Sequence, residues 1–549
     1  MGHVFALLAG FLVLLSSLLG AVPTSYKAEH VVVIVWDGLR PDSVTAANTP
    51  TLFKLAHNGV FFQNHHAVYL SSTEVNGVAL ATGTYPNRNN ILANHEYRPD
   101  LNPLKPIAIE SIDAIRKGDA SSGNHYLNAP TVAEILRGAK MRSAIAGTKP
   151  VARLHDRLHR ESIQVTGNAT QETPNTRLDT ASTRALIGTE WDNGVPAYSL
   201  LWLSEPDYSQ HLTGPGSPKS LKALKGSDDN LALVLKELDK RGLHDKTDVF
   251  VVSDHGFSTI DRCVDVAAEL QKVGFHAARE FKEPPVEGDV MVVGNGGSVL
   301  LYVVGHDPRV THGIVDFLQH QDWPGVLFTR ERLTGTFALE QARLNTPGAP
   351  DVVISLRWKN EKSSRGIAGT IISDGSTRLP GDGNHATLSP YDMRATLVAA
   401  GPDLRKGMVD QLPTGNADVA PTILHLLGVD PPQPMDGRVL GEALSAGTVK
   451  IPAIEVNTLE ATREMGKVTW HQYLRVTGFG GAIYFDEGNG QATSRQSAWV
   501  IPNLFTTRAR LTASWLGATG HLTLQHWPVM MRFAVNAESP HSRVWFANG

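Results

Sequence analysis

Along the chain, short runs of β-branched and aliphatic residues alternate with longer stretches of helical periodicity, the pattern of a parallel sheet with helices on both faces. Val31 to Trp36 is the first such run, and Ser199 to Leu203 and Asp248 to Val252 are two more. Each is too continuously apolar to be a half-exposed edge, so all three read as buried strands. The residues just after them are polar in a consistent way: Asp37-Gly38, Glu205-Pro206-Asp207 and Asp254-His255-Gly256. Chemistry in open α/β sheets collects at the carboxyl ends of the strands, and acidic residues arrive at that edge three times here. Between Phe275 and Asn360 the pattern changes. Val290 to Val293, a Gly-rich turn, Ser298 to Val304, a helix from about Pro308 to His320, then Val326 to Phe328 and Val352 to Ile354 predict a small α+β unit that interrupts the main sheet. The chain returns near Gly381 to Tyr391, ahead of a Leu- and Ile-rich helix over Ala417 to Leu427. Lys359 to Arg378, rich in Ser, Gly and charge, reads as an exposed loop, and Thr469 to Tyr484 shows aromatic alternation without a legible role. The expected fold is α/β, a mostly parallel central sheet with helices on both faces and an inserted α+β cap at about 276–365. Boundaries fall at 1–21 for a signal peptide, 22–450 for the main domain and 451–549 for a C-terminal tail.

The signal peptide rests on Phe5 to Leu19, an almost unbroken apolar run that precedes the first charged residue, Lys27, and leads into the small residues Gly20 and Ala21. Such a run is short for a membrane span and suits a cleaved export signal, which sets the remainder in a periplasmic or extracellular compartment. No second long apolar stretch occurs beyond it. Across 549 residues, 50 Lys plus Arg face 54 Asp plus Glu for a net charge of −4, and no basic block stands out. That excludes a nucleic-acid scaffold and favours a small-molecule partner. The only cysteine, Cys263, excludes an intramolecular disulfide framework, so a metal must be held by carboxylates and the 22 histidines.

Asp207 and His211 stand four apart, so a helical turn beginning at Pro206 puts both on one face, as a divalent ion requires. Asp254 and His255 are adjacent, and a turn at Gly256 can converge them. With Asp37 and one more histidine, such as His385 in Gly381-Asp382-Gly383-Asn384-His385, the ligands number six. Three carboxylates and three imidazoles make two sites of three, with open positions for substrate and water, a clamp for in-line displacement at phosphorus. Singly, each has an ordinary reading: Asp37-Gly38 as a turn, Asp207 as a helix cap, Asp-His-Gly as a loop. Their joint delivery to strand ends favours the metal. The nucleophile must lie near the first strand end. Ser71-Ser72-Thr73-Glu74 leads into a small apolar helical run, Val75 to Ala81, so a hydroxyl there meets a helix N-terminus that favours a phosphoryl group. Ser71 with Glu74 also matches a capping box, and the residues alone do not separate Ser71, Ser72 and Thr73.

With these landmarks in order, the chain resembles the alkaline phosphatase superfamily, and within it the nucleotide pyrophosphatase/phosphodiesterase (type I phosphodiesterase) branch, from about His30 to Asp430. The likeness is carried by Trp36-Asp37-Gly38-Leu39-Arg40-Pro41-Asp42, Thr73 with Thr82-Gly83-x-Tyr85-Pro86, Asn94, Pro206-Asp207-x-x-x-His211 with Gly214-Pro215, Asp254-His255-Gly256, and His385. In that family the nucleophilic Thr precedes the Thr-Gly pair by nine residues and a substrate-binding Asn by twenty-one, spacings that Thr73, Thr82 and Asn94 keep. The resemblance therefore selects Thr73. It implies an alkaline-phosphatase-like fold with two zinc ions, one on Asp207, His211 and His385 beside the departing oxygen, the other on Asp37, Asp254, His255 and Thr73. It implies a secreted phosphohydrolase that cleaves phosphodiester or pyrophosphate bonds of a small molecule through a phosphothreonine, with Asn94 donating to a non-bridging oxygen. Related sulfatases and phosphonate monoester hydrolases use a cysteine-derived formylglycine, and no Cys lies near position 73. Glu74 stands where nucleotide-cleaving members carry an aromatic stacked on the base, and Trp202 keeps in type the aromatic expected five residues before Asp207, as part of a pocket wall. Lys149 and Arg153 could reinforce the hold on a dianionic monoester, but read first as solvated surface charges. A phosphomonoesterase or phosphonate hydrolase on the same scaffold is the alternative, and a non-catalytic binding protein the third reading.

Overall fold

The computed structural model describes residues 26–157, 163–164, 173–375, 378–446 and 451–494; the expected signal peptide and the tail beyond 494 lie outside the described residues. Its central sheet has eight strands in the order Met408–Asp410, Val60–Phe62, Leu397–Ala400, Thr247–Val252, His30–Trp36, Tyr198–Leu203, Ser143–Gly147 and Ile163–Gln164. The three apolar runs of the sequence form its middle, in parallel register, and each is buried along nearly its whole length. Period-two alternation explains why. Val31, Val33 and Val35 face one core with Ile423 and Leu424 of the Val419–Leu426 helix, while Val32, Ile34 and Trp36 face another with Leu231, Val234 and Leu238 of the Pro218–Lys240 helix. The sheet is mixed rather than wholly parallel, because Leu397–Ala400 runs antiparallel to both neighbours. It has to enter from the carboxyl edge, since His385 has just been delivered there: Leu397 pairs with Val252, the last residue of its neighbour.

A second, six-stranded sheet runs from Ala277–Ala278 through Val290–Asn295, Ser298–Val303, Val352–Leu356 and Pro324–Thr329 to Phe337–Ala338. One face is covered by Ile314, Val315 and Leu318 of the Pro308–Leu318 helix. The other packs Met291, Val293 and Leu300 against Val75 and Ala79 of the Thr73–Thr82 helix, so this sheet backs the element that carries the expected nucleophile. The stretch Lys359 to Arg378 is not a loop throughout. Trp358–Lys362 and Ala368–Asp374 form an antiparallel pair within a four-stranded sheet, and Ile371 is 1% exposed. Only the turn between them carries the Ser-Ser-Arg-Gly composition that suggested exposure. After Ile451 the chain builds a three-stranded antiparallel meander, Glu455–Met465, Val468–Phe479 and Ala482–Ser494. Among the described residues, no helix is long and apolar enough to cross a membrane.

Candidate metal centre and active site

All the candidate chemistry gathers at the carboxyl edge of the central sheet. Asp37 comes directly after the first strand, and Gly38 turns the chain away with a φ of +71°, where a Cβ would come within 3.2 Å of the Asp207 Cβ. Asp207 opens the Asp207–Thr213 helix, which sets His211 one turn on, and its backbone N–H donates to the Asp37 carbonyl at 3.0 Å. Asp254 and His255 lie just past the Thr247–Val252 strand, with Asp254 Oδ1 accepting the Gly38 N–H at 3.0 Å. Two trios result. In one, the imidazoles of His211 and His385 reach Asp207 Oδ1 at 3.2 and 3.6 Å; in the other, His255 Nε2 lies 3.2 Å from Asp254 Oδ2 and 3.6 Å from Asp37 Oδ1. The ligand atoms of each trio all lie within 4.8 Å of one another. The rings of His255 and His385 stack at 3.7 Å, so the trios abut.

The donor set fits divalent cations on two counts. Each imidazole is held through Nδ1 by a backbone carbonyl, that of Gly383 for His211, Gly256 for His255 and Ser71 for His385, at 2.8 to 3.0 Å. A carbonyl only accepts, so Nδ1 carries the proton and Nε2 presents its lone pair to the trio, as a metal ligand must. Burial pushes His211 and His385 below the ordinary range, which keeps both neutral. Second, Asp207 Oδ1 and Asp254 Oδ2 are buried without a hydrogen bond, and Asp37 Oδ1 has only the Lys149 ammonium beside it. Oxygens so placed in one site are costly unless further cations complete them. Burial and the neighbouring Asp254 drive Asp37 well above the usual carboxylate range, and burial raises Asp254 as well. Asp207, despite its burial, is held well below that range, with the Lys149 ammonium 2.7 Å from its Oδ2.

Thr73 begins the Thr73–Thr82 helix, and its Oγ1 lies 3.3 Å from His255 Nε2. Its two neighbours are placed differently: Ser71 Oγ donates to the Thr387 carbonyl, and Ser72 Oγ is buried without a partner. The capping box is absent: the N-cap residue is Ser72, whose side chain makes no cap bond, and Ser71 Oγ is engaged by Thr387. Glu74 is 6% exposed, and burial together with Glu110 pushes its carboxyl well above the ordinary range. Its backbone N–H donates to Asn94 Oδ1 at 3.1 Å, which fixes the Asn94 amide beside the helix N-terminus. Trp202, expected as a pocket wall, is instead fully buried beneath the site and donates its indole N–H to Asp37 Oδ2 at 2.8 Å. Its effect is to orient the Asp37 carboxylate.

Lys149 corrects the surface-charge reading. Its side chain is 12% exposed, and its ammonium sits 3.0 Å from Asp37 Oδ1 and 2.7 Å from Asp207 Oδ2, bridging the two trios. The signal was the short small-residue strand Ser143–Gly147, whose carboxyl end delivers Thr148 and Lys149 to the edge that carries the acids. Arg153, half-buried four residues on, stands near Glu110. A cleft of about 390 Å³ opens beside His211, His385 and Asn94.

A family model described as type I phosphodiesterase / nucleotide pyrophosphatase matches residues 31–358. Among curated relatives, the mouse (Mus musculus) ectonucleotide pyrophosphatase/phosphodiesterase family member 3 is 24% identical over 258 residues, 46% of this chain and 28% of that protein. A Xenopus laevis bis(5'-adenosyl)-triphosphatase is 23% identical over 240 residues, 44% of this chain and 49% of that protein. The chain thus spans less than half the length of either. Among solved structures, murine ectonucleotide pyrophosphatase / phosphodiesterase 5, an inactive variant in complex with AMP, superposes with a TM-score of 0.58 at 19% identity over 76% of this chain and all of that one. That likeness establishes a shared α/β fold.

Proposed function

The chain belongs to the type I phosphodiesterase / nucleotide pyrophosphatase family, and from that premise we propose that it is a dizinc phosphohydrolase that cleaves phosphodiester or pyrophosphate bonds of a small molecule through a phosphothreonine intermediate. One observation carries the reading: two abutting trios of carboxylate and Nε2 ligands with a helix-terminal Thr73 hydroxyl 3.3 Å from one of them. Asp207, His211 and His385 would hold one ion, and Asp37, Asp254 and His255, with Thr73, the other. Bound there, divalent cations lower the pKa of a hydroxyl or water and neutralise charge that develops on phosphoryl oxygens. Thr73 Oγ attacks phosphorus, the bond to the departing oxygen breaks, and a P–O bond to Thr73 forms. Water then attacks the same phosphorus and restores the hydroxyl. The Asn94 amide, its oxygen engaged by the Glu74 N–H, has its NH₂ left to donate to a non-bridging oxygen. The helix N-terminus adds its dipole on the same side. The Phe5 to Leu19 run sets this chemistry in a periplasmic or extracellular compartment.

Lys149 supports the second reading, a phosphomonoesterase or phosphonate hydrolase. A third cation at the junction of the trios suits a dianionic phosphoryl group more than a diester monoanion. The deciding experiment compares the zinc-loaded chain on bis(nitrophenyl) phosphate and nitrophenyl phosphate. Faster diester cleavage, lost on chelation and matched by two zinc ions per chain in atomic spectroscopy, is the expected result. A preference for the monoester that reverses in Lys149→Met selects the second reading, and a chain that holds fewer than two metals while active refutes the six-ligand assignment.

A further inference from the structure

The cleft beside His211 and His385 has no Phe, Tyr or Trp in its lining, and most of its polar side chains are engaged by the protein itself. Asn295 is engaged by the Asn94 loop: its Oδ1 accepts the His95 N–H at 2.9 Å, and its Nδ2 donates to the His95 carbonyl at 3.1 Å. Asn384 donates to Ser373 Oγ at 2.9 Å and accepts the His385 N–H at 3.0 Å. Arg279 is neutralised by two hydrogen bonds to Asp374, both at 2.8 Å, and one to Asp265 at 2.9 Å. Arg378 is different. It donates to the backbone carbonyl of His211 at 3.1 Å, and among the described residues it makes no close ion pair, the carboxylates of Asp207 and Asp382 acting on it only from farther away. Of the two acids four residues away, Asp374 is taken up by Arg279 and Asp382 accepts the Leu379 N–H. A guanidinium drawn partly out of water without a hydrogen-bonded counter-ion is costly, and burial lowers its pKa against the opposing pull of Asp207 and Asp382. Its planar fork matches phosphate or carboxylate geometry.

We infer that Arg378 is a subsite for a second anionic group on the substrate, so that the preferred substrates are pyrophosphates, or diesters whose departing portion is itself a small anion held without aromatic stacking. The inference rests on the phosphohydrolase reading for its chemistry and on the cleft for its geometry. The cleft lies against Asp207's trio, the one assigned to the departing oxygen, so the anion recognised belongs to the departing side.

Thymidine triphosphate and the nitrophenyl ester of thymidine monophosphate test it. Hydrolysis of either at the nucleoside-linked phosphorus adds water and yields thymidine monophosphate, but one releases pyrophosphate and the other nitrophenolate, which carries no phosphoryl group. In Arg378→Met the ratio of kcat/KM for the triphosphate to that for the nitrophenyl ester should fall at least tenfold, and the Kd of inorganic pyrophosphate, measured by calorimetry, should rise by a similar factor. Equal losses on both esters, with the ratio and the pyrophosphate Kd unmoved, would show that Arg378 only braces the His211 carbonyl and would overturn the inference. A parent chain that releases thymidine monophosphate from neither ester refutes the hydrolase reading, and the pyrophosphate titration still decides the subsite.

Discussion

Thr73 is held at the junction of two constraints. Its helix is backed by the second sheet through Val75 and Ala79, and its preceding residues are tied down by Ser71, whose carbonyl orients His385 and whose hydroxyl reaches Thr387. Thr73→Ala removes the oxygen without disturbing either contact. Turnover should fall by at least about a thousandfold, with metal content near that of the parent, and Ser72→Ala should cost far less. If atomic spectroscopy shows intact metal loading but the Ser72 variant is the dead one, the hydroxyl has been misassigned. A second residue-scale effect concerns stability. Asp248, fully buried, accepts the Asp403 N–H through Oδ1 and leaves Oδ2 unpaired; burial pushes its carboxyl up to about 7. A carboxyl whose pKa is higher folded than unfolded stabilises the fold fully below its unfolded value, and that contribution is lost as pH rises through the folded one. Relative to Asp248→Asn, the parent should therefore lose stability between about pH 4 and pH 7, by at most roughly 4 kcal/mol. Urea midpoints measured across that range for both proteins would show it as a widening gap; a constant gap means Asp248 titrates normally.

At the scale of elements, the loop that carries Asn94 is braced from within. Glu96, 3% exposed, accepts the Leu92 and Ala93 N–H groups at 2.7 and 3.3 Å and pairs with Arg98 at 3.0 Å. Arg98 in turn donates to the Asn90 carbonyl at 2.6 Å and lies over the Tyr126 ring. Glu96→Gln keeps an acceptor for the loop amides and drops the charge, so it should loosen Asn94 and slow turnover several-fold. In an Asn94→Ala background the same change should matter little, and additive losses in both backgrounds would point to a general destabilisation instead. The sequence made the acids legible because Val31 to Trp36, Ser199 to Leu203 and Asp248 to Val252 are long apolar runs that lead straight into acidic residues. Lys149 escaped because its strand, Ser143–Gly147, is built of small residues whose burial comes from pairing with Tyr198–Leu203 rather than from their own hydrophobicity. The hairpin over Trp358–Lys362 and Ala368–Asp374 escaped for a related reason. Its outer strand is exposed on four of five positions, so composition reported solvent while backbone pairing set the structure.

Among the described residues, the two larger sheets are tied together by the region least legible in the sequence. Trp470, Leu474 and Phe485, part of the aromatic and aliphatic alternation in the meander, enter both cores of the second sheet: Leu474 and Phe485 join the face that backs Val75 and Ala79, and Trp470 joins the face under the Pro308–Leu318 helix. Gln472 extends the pairing with a side chain, donating to the Leu327 carbonyl and accepting its N–H at 3.1 and 2.8 Å. Further on, Tyr484 donates to Asp418 at 2.8 Å and His66 meets Asp486 at 3.1 Å, which ties the meander to the helix end beside the central sheet. These contacts place 451–494 in the same compact unit as the Thr73–Thr82 helix, and that unit is expected to unfold cooperatively. Leu474 is fully buried in it. Leu474→Ala should cost about 2 to 5 kcal/mol, the range for a buried leucine whose cavity closes only in part. Scanning calorimetry of the full chain should then show one transition displaced downward by a few degrees, and thermal loss of activity should move with the same displacement. Two transitions, of which only the lower moves in Leu474→Ala while activity tracks the upper, would make the meander an appendage and would leave the second sheet alone to support Thr73.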